Sequence, residues 1–286
     1  VEPFEVVEPT AGESPLVVEV PHAGLWLDGE TLARVIAPAR CIGRDADLYV
    51  DELFQDAPRE GATLLVARAS RYLVDLNRGE GDYDGEAVEG GGRTPWARGL
   101  IWRLSTDGEP VLAERLSQRE LTRRLDLVYR PYHRTLQALL TRKIERFGVA
   151  VLLCAHSMPT PGGRLSAGGL GAHQADLVPG TRGRTSAAGV VIDRVDAHGR
   201  RQGWTVRHDD PYRGGFSTAH YGQPTRGVHA VQIEIARRRY MDEPTLRIDP
   251  QGFASVREFA RTLAARLAFA EPDAPLRLLE REASRT

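Results

Sequence analysis

Leu16-Val17-Val18-Glu19-Val20 is a short, β-branched apolar run, the pattern of a strand buried on both faces. Pro21 cannot donate to a sheet ladder, so the strand must end there and deliver His22 onto a loop at its carboxyl edge. In open α/β sheets that edge is where ligands bind. A single histidine after a strand is equally well a packed or surface residue. Its weight comes from four later segments that also end in polar groups.

The pattern predicts further strands at Thr63–Ala67, Tyr72–Leu76, Val149–Ala155, Trp204–Arg207 and His229–Ala236. Between them lie helical patterns: a weak one over Thr31–Pro38, one opened by Asp45-Ala46-Asp47 and closing near Pro58, and one over Thr185–Gln202 that Gly203 stops. The last clear helix is Phe253–Phe269. Ser117-Gln118-Arg119-Glu120 fits a capping box, and Leu121, Leu125, Val128, Tyr132, Leu136, Leu139 and Leu140 then continue at helical spacing. Pro131 should kink that helix, and His133, one position off the stripe, reads as a structural hydrogen-bonder. Strands alternating with helices predict an α/β fold: three layers, a mainly parallel or mixed sheet with helices on both faces. Residues 1–286 fit one large domain with peripheral termini, about 1–12 and 272–286. Two Gly-rich stretches, Gly79–Gly99 and Pro161–Gly183, are expected as loops. The Gly169-Leu170-Gly171 within the second follows no strand and makes no dinucleotide fingerprint.

Composition removes several functions. The apolar 41% and charged 27% are ordinary for a globular protein, and a net charge of −1 carries no nucleic-acid or membrane footprint. No apolar run suits a membrane span, and the opening residues do not resemble a secretory signal. Lys143 is the sole lysine and sits in a helical pattern with no Gly-rich loop before it, which disfavours a P-loop or Schiff-base chemistry. Cys41 and Cys154 are far apart, consistent with a reduced, cytoplasmic protein. No G-x-S-x-G elbow and no H-E-x-x-H is present.

What remains is a set of polar groups at element ends: His22, Asp45 and Asp47, Asn77-Arg78, His156 and Glu234. Two histidines and a carboxylate are a common catalytic zinc set, and a further carboxylate outside it is needed as general base. Glu234 lies in an otherwise apolar strand, so it either faces a polar cavity or pairs with an arginine. The aspartates also suit helix capping. Arg78 suits a carboxylate ligand, or an acidic neighbour on its loop.

At these residues the chain resembles the N-formylglutamate amidohydrolase family. The matching segments are Val20-Pro21-His22-Ala23-Gly24, Arg44 to Leu53, Val74-Asp75-Leu76-Asn77-Arg78, Ala155-His156-Ser157-Met158-Pro159, Asp210 to Phe216, Val231 to Arg237 and Tyr240-Met241-Asp242-Glu243. The resemblance extends to zinc carboxypeptidases and aspartoacylases, which implies a zinc-carboxypeptidase-like fold. It makes His22 and His156 ligands of Zn2+ or another divalent metal. Those relatives carry a ligand Glu three residues after the first His; Leu25 stands there here, so Asp47 is assigned as third ligand, with Asp45 as second choice. It also implies Glu234 as general base and Asn77 and Arg78 as holders of a substrate carboxylate, with Arg213 as a candidate second cation. The implied reaction splits N-formyl-L-glutamate, a small anionic acyl amino acid, into formate and glutamate in histidine breakdown. A deacylase for another acyl amino acid and a non-catalytic acidic-metabolite-binding domain are the alternatives.

Overall fold

The computed structural model describes residues 1–10, 12–93, 95–160 and 175–268. The chain begins with β1 (Phe4–Val7) and β2 (Leu16–Val20), then passes through two short helices, α1 (Gly29–Leu32) and α2 (Ala39–Asp45), and the turn α3 (Val50–Leu53). After β3 (Thr63–Ala67) comes a long stretch without strand or helix. It leads to α4 (Gln118–Arg124) and α5 (Arg130–Phe147), joined by a π-helical turn at Leu125–Tyr129. There follow β4 (Ala150–Met158), β5 (Leu177–Gly180), α6 (Gly189–Arg201), α7 (Phe216–Tyr221), β6 (Val228–Ala236), a small hairpin of β7 (Met241–Asp242) and β8 (Arg247–Ile248), and α8 (Pro250–Ala268).

Six strands form one mixed sheet in the order β1-β3-β2-β4-β6-β5. The central four are mutually parallel, and β1 and β5 close the two edges antiparallel. Alternation explains the layers. Leu16, Val18, Val20, Val151, Leu153, Ala155, Val231, Ile233 and Ile235 point to one face, where they pack with Ile192 of α6 and Phe259 and Leu263 of α8. Val17, Ala150, Leu152, Cys154 and Ala230 point to the other, against Leu121, Tyr132, Leu136 and Leu140 of α4 and α5. His156, Gln232 and Glu234 continue this second parity toward the carboxyl edge, where the apolar cover gives way to a cleft.

Several local expectations hold. Ser117 caps α4, its side chain accepting the Glu120 amide. Pro131 lies in the first turn of α5, directly after the π-helical turn at Leu125–Tyr129, where a missing backbone donor is tolerated. The described residues of Gly79–Gly99 form no strand or helix, and Asp84 pins the stretch by accepting from Ala87 N and Trp96 N.

Others are corrected. Tyr72–Leu76 is a buried loop, not a strand, because the Arg124 guanidinium takes the Tyr72 and Leu73 carbonyls that a ladder would have used. Trp204–Arg207 contributes a single bridge, Val206 to Leu177. The Pro161–Gly183 loop contains a strand, β5; its residues 161–174, Gly169-Leu170-Gly171 among them, lie outside the described residues. The tail after Pro272 also lies outside them. Thr31–Pro38 holds only the end of α1, which Asp28 caps. Asp45-Ala46-Asp47 does not open a helix: Asp45 ends α2, and Ala46 is extended at φ −75°, ψ 152°. Phe4–Val7, in the stretch expected as peripheral, forms an edge strand.

His229 shows how burial sets a titration. It is buried in β6, its Nδ1 accepts the Ala188 amide at the start of α6, and burial pushes it from 6.5 down to about 4. Only the neutral ring can accept that bond. Between about 6.5 and 4 the unfolded chain takes up a proton that the folded chain refuses, so stability falls as pH falls. Urea unfolding between pH 7 and pH 4 should give a shallower decline for His229→Gln than for wild type.

Candidate active site

The parallel strands end on one edge, and each hands over a polar group there. Pro21 ends β2's run and His22 follows; β4 carries His156 and Ser157; β6 carries Gln232 and Glu234. The β4–β6 register sets His156 directly beside Glu234. The loop after α2 brings in Asp47, whose amide donates to the His22 carbonyl at 2.9 Å.

His22, Asp47 and His156 are buried and converge as one group able to hold a metal ion. His22 Nδ1 lies 3.2 Å from His156 Nδ1. Asp47 Oδ2 lies 3.5 Å from the first and 3.0 Å from the second. A tetrahedral ion with bonds of about 2.0–2.1 Å requires ligand atoms about 3.3 Å apart. The three donors therefore fit such an ion. Asp45, the second choice for third ligand, is turned away: its carboxylate accepts from the Tyr72 hydroxyl and the Thr106 amide.

A second set of residues orients the first. His22 Nε2 meets Asp75 Oδ1 at 2.9 Å, the outer carboxylate that fixes a ligand imidazole. Asp75 also accepts from the Arg71 guanidinium at 3.0 Å and from Trp102 Nε1 at 2.9 Å, and Arg71 lies over the Trp102 ring. Asn77 Nδ2 is 3.3 Å from His156 Nε2 and donates to Gln232 Oε1. Gln232 in turn donates to Glu234 at 2.8 Å.

These contacts divide the carboxyls. Burial opposes ionisation of Asp47, but hydrogen bonds with His156 and His22 outweigh it and hold its carboxyl well below the usual range. Burial opposes Asp75 too, and Arg71, His22 and Arg78 outweigh it. Glu234 moves the other way: burial first, then the charge of Asp47, push it well above the usual range. Burial also lowers His156, keeping it neutral, the form in which imidazole binds a metal.

The cleft over this group holds about 750 Å³. All the residues singled out in the sequence line it: His22, Asp47, Asn77, Arg78, His156, Arg213 and Glu234. Arg78 donates to the Arg98 and Asn77 carbonyls. Arg71, Asp75, Ser157 and Arg237 were not singled out. Asp75 had a legible signal, a carboxylate inside the apolar run Leu73-Val74-Asp75-Leu76 with an arginine four residues before it. Burying it demands a partner, as for Glu234.

The fold and site define a hydrolytic enzyme, with a metal-competent triad and a separate carboxyl at the carboxyl edge of a mixed α/β sheet. A family model for N-formylglutamate amidohydrolase matches residues 14–241, and the chain belongs to that family. A relative named N-formylglutamate deformylase, from Pseudomonas putida, is 34% identical over 235 residues, covering 81% of this chain and 84% of its own. One of the same name from Pseudomonas aeruginosa is 34% identical over 242 residues, covering 84% and 86%. The crystal structure of N-formylglutamate amidohydrolase from Ralstonia eutropha JMP134 superposes with a TM-score of 0.83 at 30% identity, covering 99% of this chain and all of that one. A gene product of Agrobacterium tumefaciens shares the fold at 18% identity, with a TM-score of 0.68 and coverage of 93% and 95%.

Removing Arg71 leaves the buried Asp75 carboxylate without its guanidinium partner, with only His22, Trp102 and the Asn77 amide to hold it, which costs about 3–5 kcal/mol. Arg71→Met should lose that much stability in urea at pH 7. The deficit should narrow on acidification, as the orphaned carboxylate takes up a proton.

Proposed function

We propose that this chain hydrolyses the formamide bond of N-formyl-L-glutamate, giving formate and glutamate, as a step in histidine degradation. The observation that carries the reading is the His22/Asp47/His156 triangle set beside Glu234 in an arginine-lined cleft. Zn2+, or another divalent ion in its place, is the cofactor we assign to that triangle; bound there it would acidify a water and polarise the formyl carbonyl.

The chain's own residues supply the rest. Glu234 is the general base: it takes a proton from the attacking water and returns it to the departing amine of glutamate. Burial and the charge of Asp47 are the two causes that raise Glu234. A cation held by Asp47 would offset the second of them and favour the form of Glu234 that accepts a proton. Arg78, with Asn77 beside it, binds the substrate's α-carboxylate, the fork geometry of guanidinium suiting a bidentate grip. Arg213, which also lines the cleft, takes the side-chain carboxylate. Arg71 is held too firmly by Asp75 to swing into this work, and its charge contributes as a fixed field.

The same reading takes the fold as zinc-carboxypeptidase-like and residues 1–286 as one hydrolytic domain with peripheral termini. It places the protein in the cytoplasm, acting without nucleic acid or membrane. Two buried free cysteines support a reduced compartment. Among the described residues no helix is long and apolar enough to cross a membrane.

Metal analysis and kinetics test the proposal together. His22→Ala and His156→Ala should each abolish metal uptake. Glu234→Gln should retain the metal and lose about 10²-fold or more in kcat. Turnover of another N-acyl amino acid in a panel, with formylglutamate untouched, would reassign the substrate. A wild-type chain inert to the whole panel would turn the reading toward a binding domain.

A further inference from the structure

The third donor of the triangle comes from a separate loop, the one that follows α2. Asp47 sits on that loop between extended Ala46 and left-handed Tyr49, φ 68°, outside any regular element. Something must hold its carboxylate in one orientation.

Arg237 is the residue placed to do so. It follows β6 directly, three positions after Glu234, and its guanidinium is buried. Nη1 donates to the Arg44 carbonyl at 2.6 Å and Nη2 to the Ala46 carbonyl at 2.7 Å, so one fork grips the loop on both sides of Asp45. Nη2 also donates to Asp47 Oδ1 at 3.2 Å. Nε donates to Ser157 Oγ at 3.0 Å, and Ser157, its oxygen engaged as acceptor, donates its own proton to Asp47 Oδ1 at 3.1 Å. Both bonds converge on Oδ1. Oδ2 is left to face the two imidazole Nδ1 atoms.

We infer that Arg237, acting directly and through Ser157, is a positioning residue that sets the metal affinity of the His22/Asp47/His156 site by dedicating Asp47 Oδ1 to the protein and Oδ2 to the ion. The inference rests on the metal reading of that triangle. Lysine cannot substitute, because a single ammonium lacks the planar fork that reaches two carbonyls, a hydroxyl and a carboxylate at once. Outer partners of metal ligands contribute about 10–100-fold in affinity.

The test is zinc affinity, measured by competition with a chromophoric chelator on metal-stripped wild type, Ser157→Ala and Arg237→Lys. The unfolding midpoint of each stripped protein is recorded alongside. Ser157→Ala removes only a hydroxyl and leaves every charge in place, so it keeps the test open if Arg237→Lys folds poorly. Both variants should bind zinc about 10–100-fold more weakly, Ser157→Ala with a midpoint near that of wild type. A purely structural Arg237 would lower the midpoint and leave zinc affinity unchanged, and that result overturns the inference, as does a loss confined to Ser157→Ala in folded proteins. A wild type that takes up no zinc overturns the metal reading and this inference with it.

Discussion

Three buried carboxyls, Asp47, Asp75 and Glu234, lie in the cleft or directly behind it, and among the described residues two of them are paired with an arginine and the third is not. Asp75 is matched by Arg71 and Asp47 by Arg237. Among the described residues Glu234 has no such ion pair, and its hydrogen bond comes from the neutral Gln232 amide. In a desolvated pocket that difference moves the titrations in opposite directions, Asp47 and Asp75 downward and Glu234 upward. Carboxyls driven apart in this way take different roles, the ionised one as ligand or orienter and the raised one as proton carrier. An arginine at Glu234 would have satisfied its burial equally well and removed that capacity.

The sheet enforces the division. Parallel pairing of β4 with β6 over their nine residues fixes His156 beside Glu234, and alternation keeps both on the face that opens into the cleft. A one-residue slip would turn them into the α6–α8 core. The opposite wall is held by close backbone approach. A Cβ on Gly215 would come within 2.3–2.5 Å of the Asn77 side-chain atoms, so only glycine lets the loop before α7 lie against Asn77. The Gly215 amide donates to Gln232, which links that loop to the strand carrying Glu234.

What could be read from the sequence follows from range. Strand ends are local features, so His22, His156 and Glu234 were legible from apolar runs and a proline, and the residues around them carried the family resemblance. Asp47 was legible as a residue but not as a structure: an acidic pair before an apolar run has the pattern of a helix start, and the extended turn there is held by Arg237, 190 positions away. The run Leu73-Val74-Asp75-Leu76 failed as a strand for the same kind of reason, since its carbonyls go to Arg124, about fifty positions on. With 38 basic residues and one lysine among them, composition offers no way to tell which arginine reaches which partner.

The arginines sort themselves only in three dimensions. Those of the cleft floor, Arg71 and Arg237, are committed to carboxylates and to backbone carbonyls. At the rim Arg44 pairs with Asp107, whereas among the described residues Arg78 directs its hydrogen bonds to carbonyl oxygens. Carbonyl contacts orient a guanidinium without neutralising it, so Arg78 is held in place yet electrostatically open. The cleft thus combines these committed arginines with Arg78 and Arg213, which also line it. An anionic amide entering the cleft would meet the two guanidinium groups with its acid end, and that would leave its acyl end for the side of Glu234 and the His22/Asp47/His156 group.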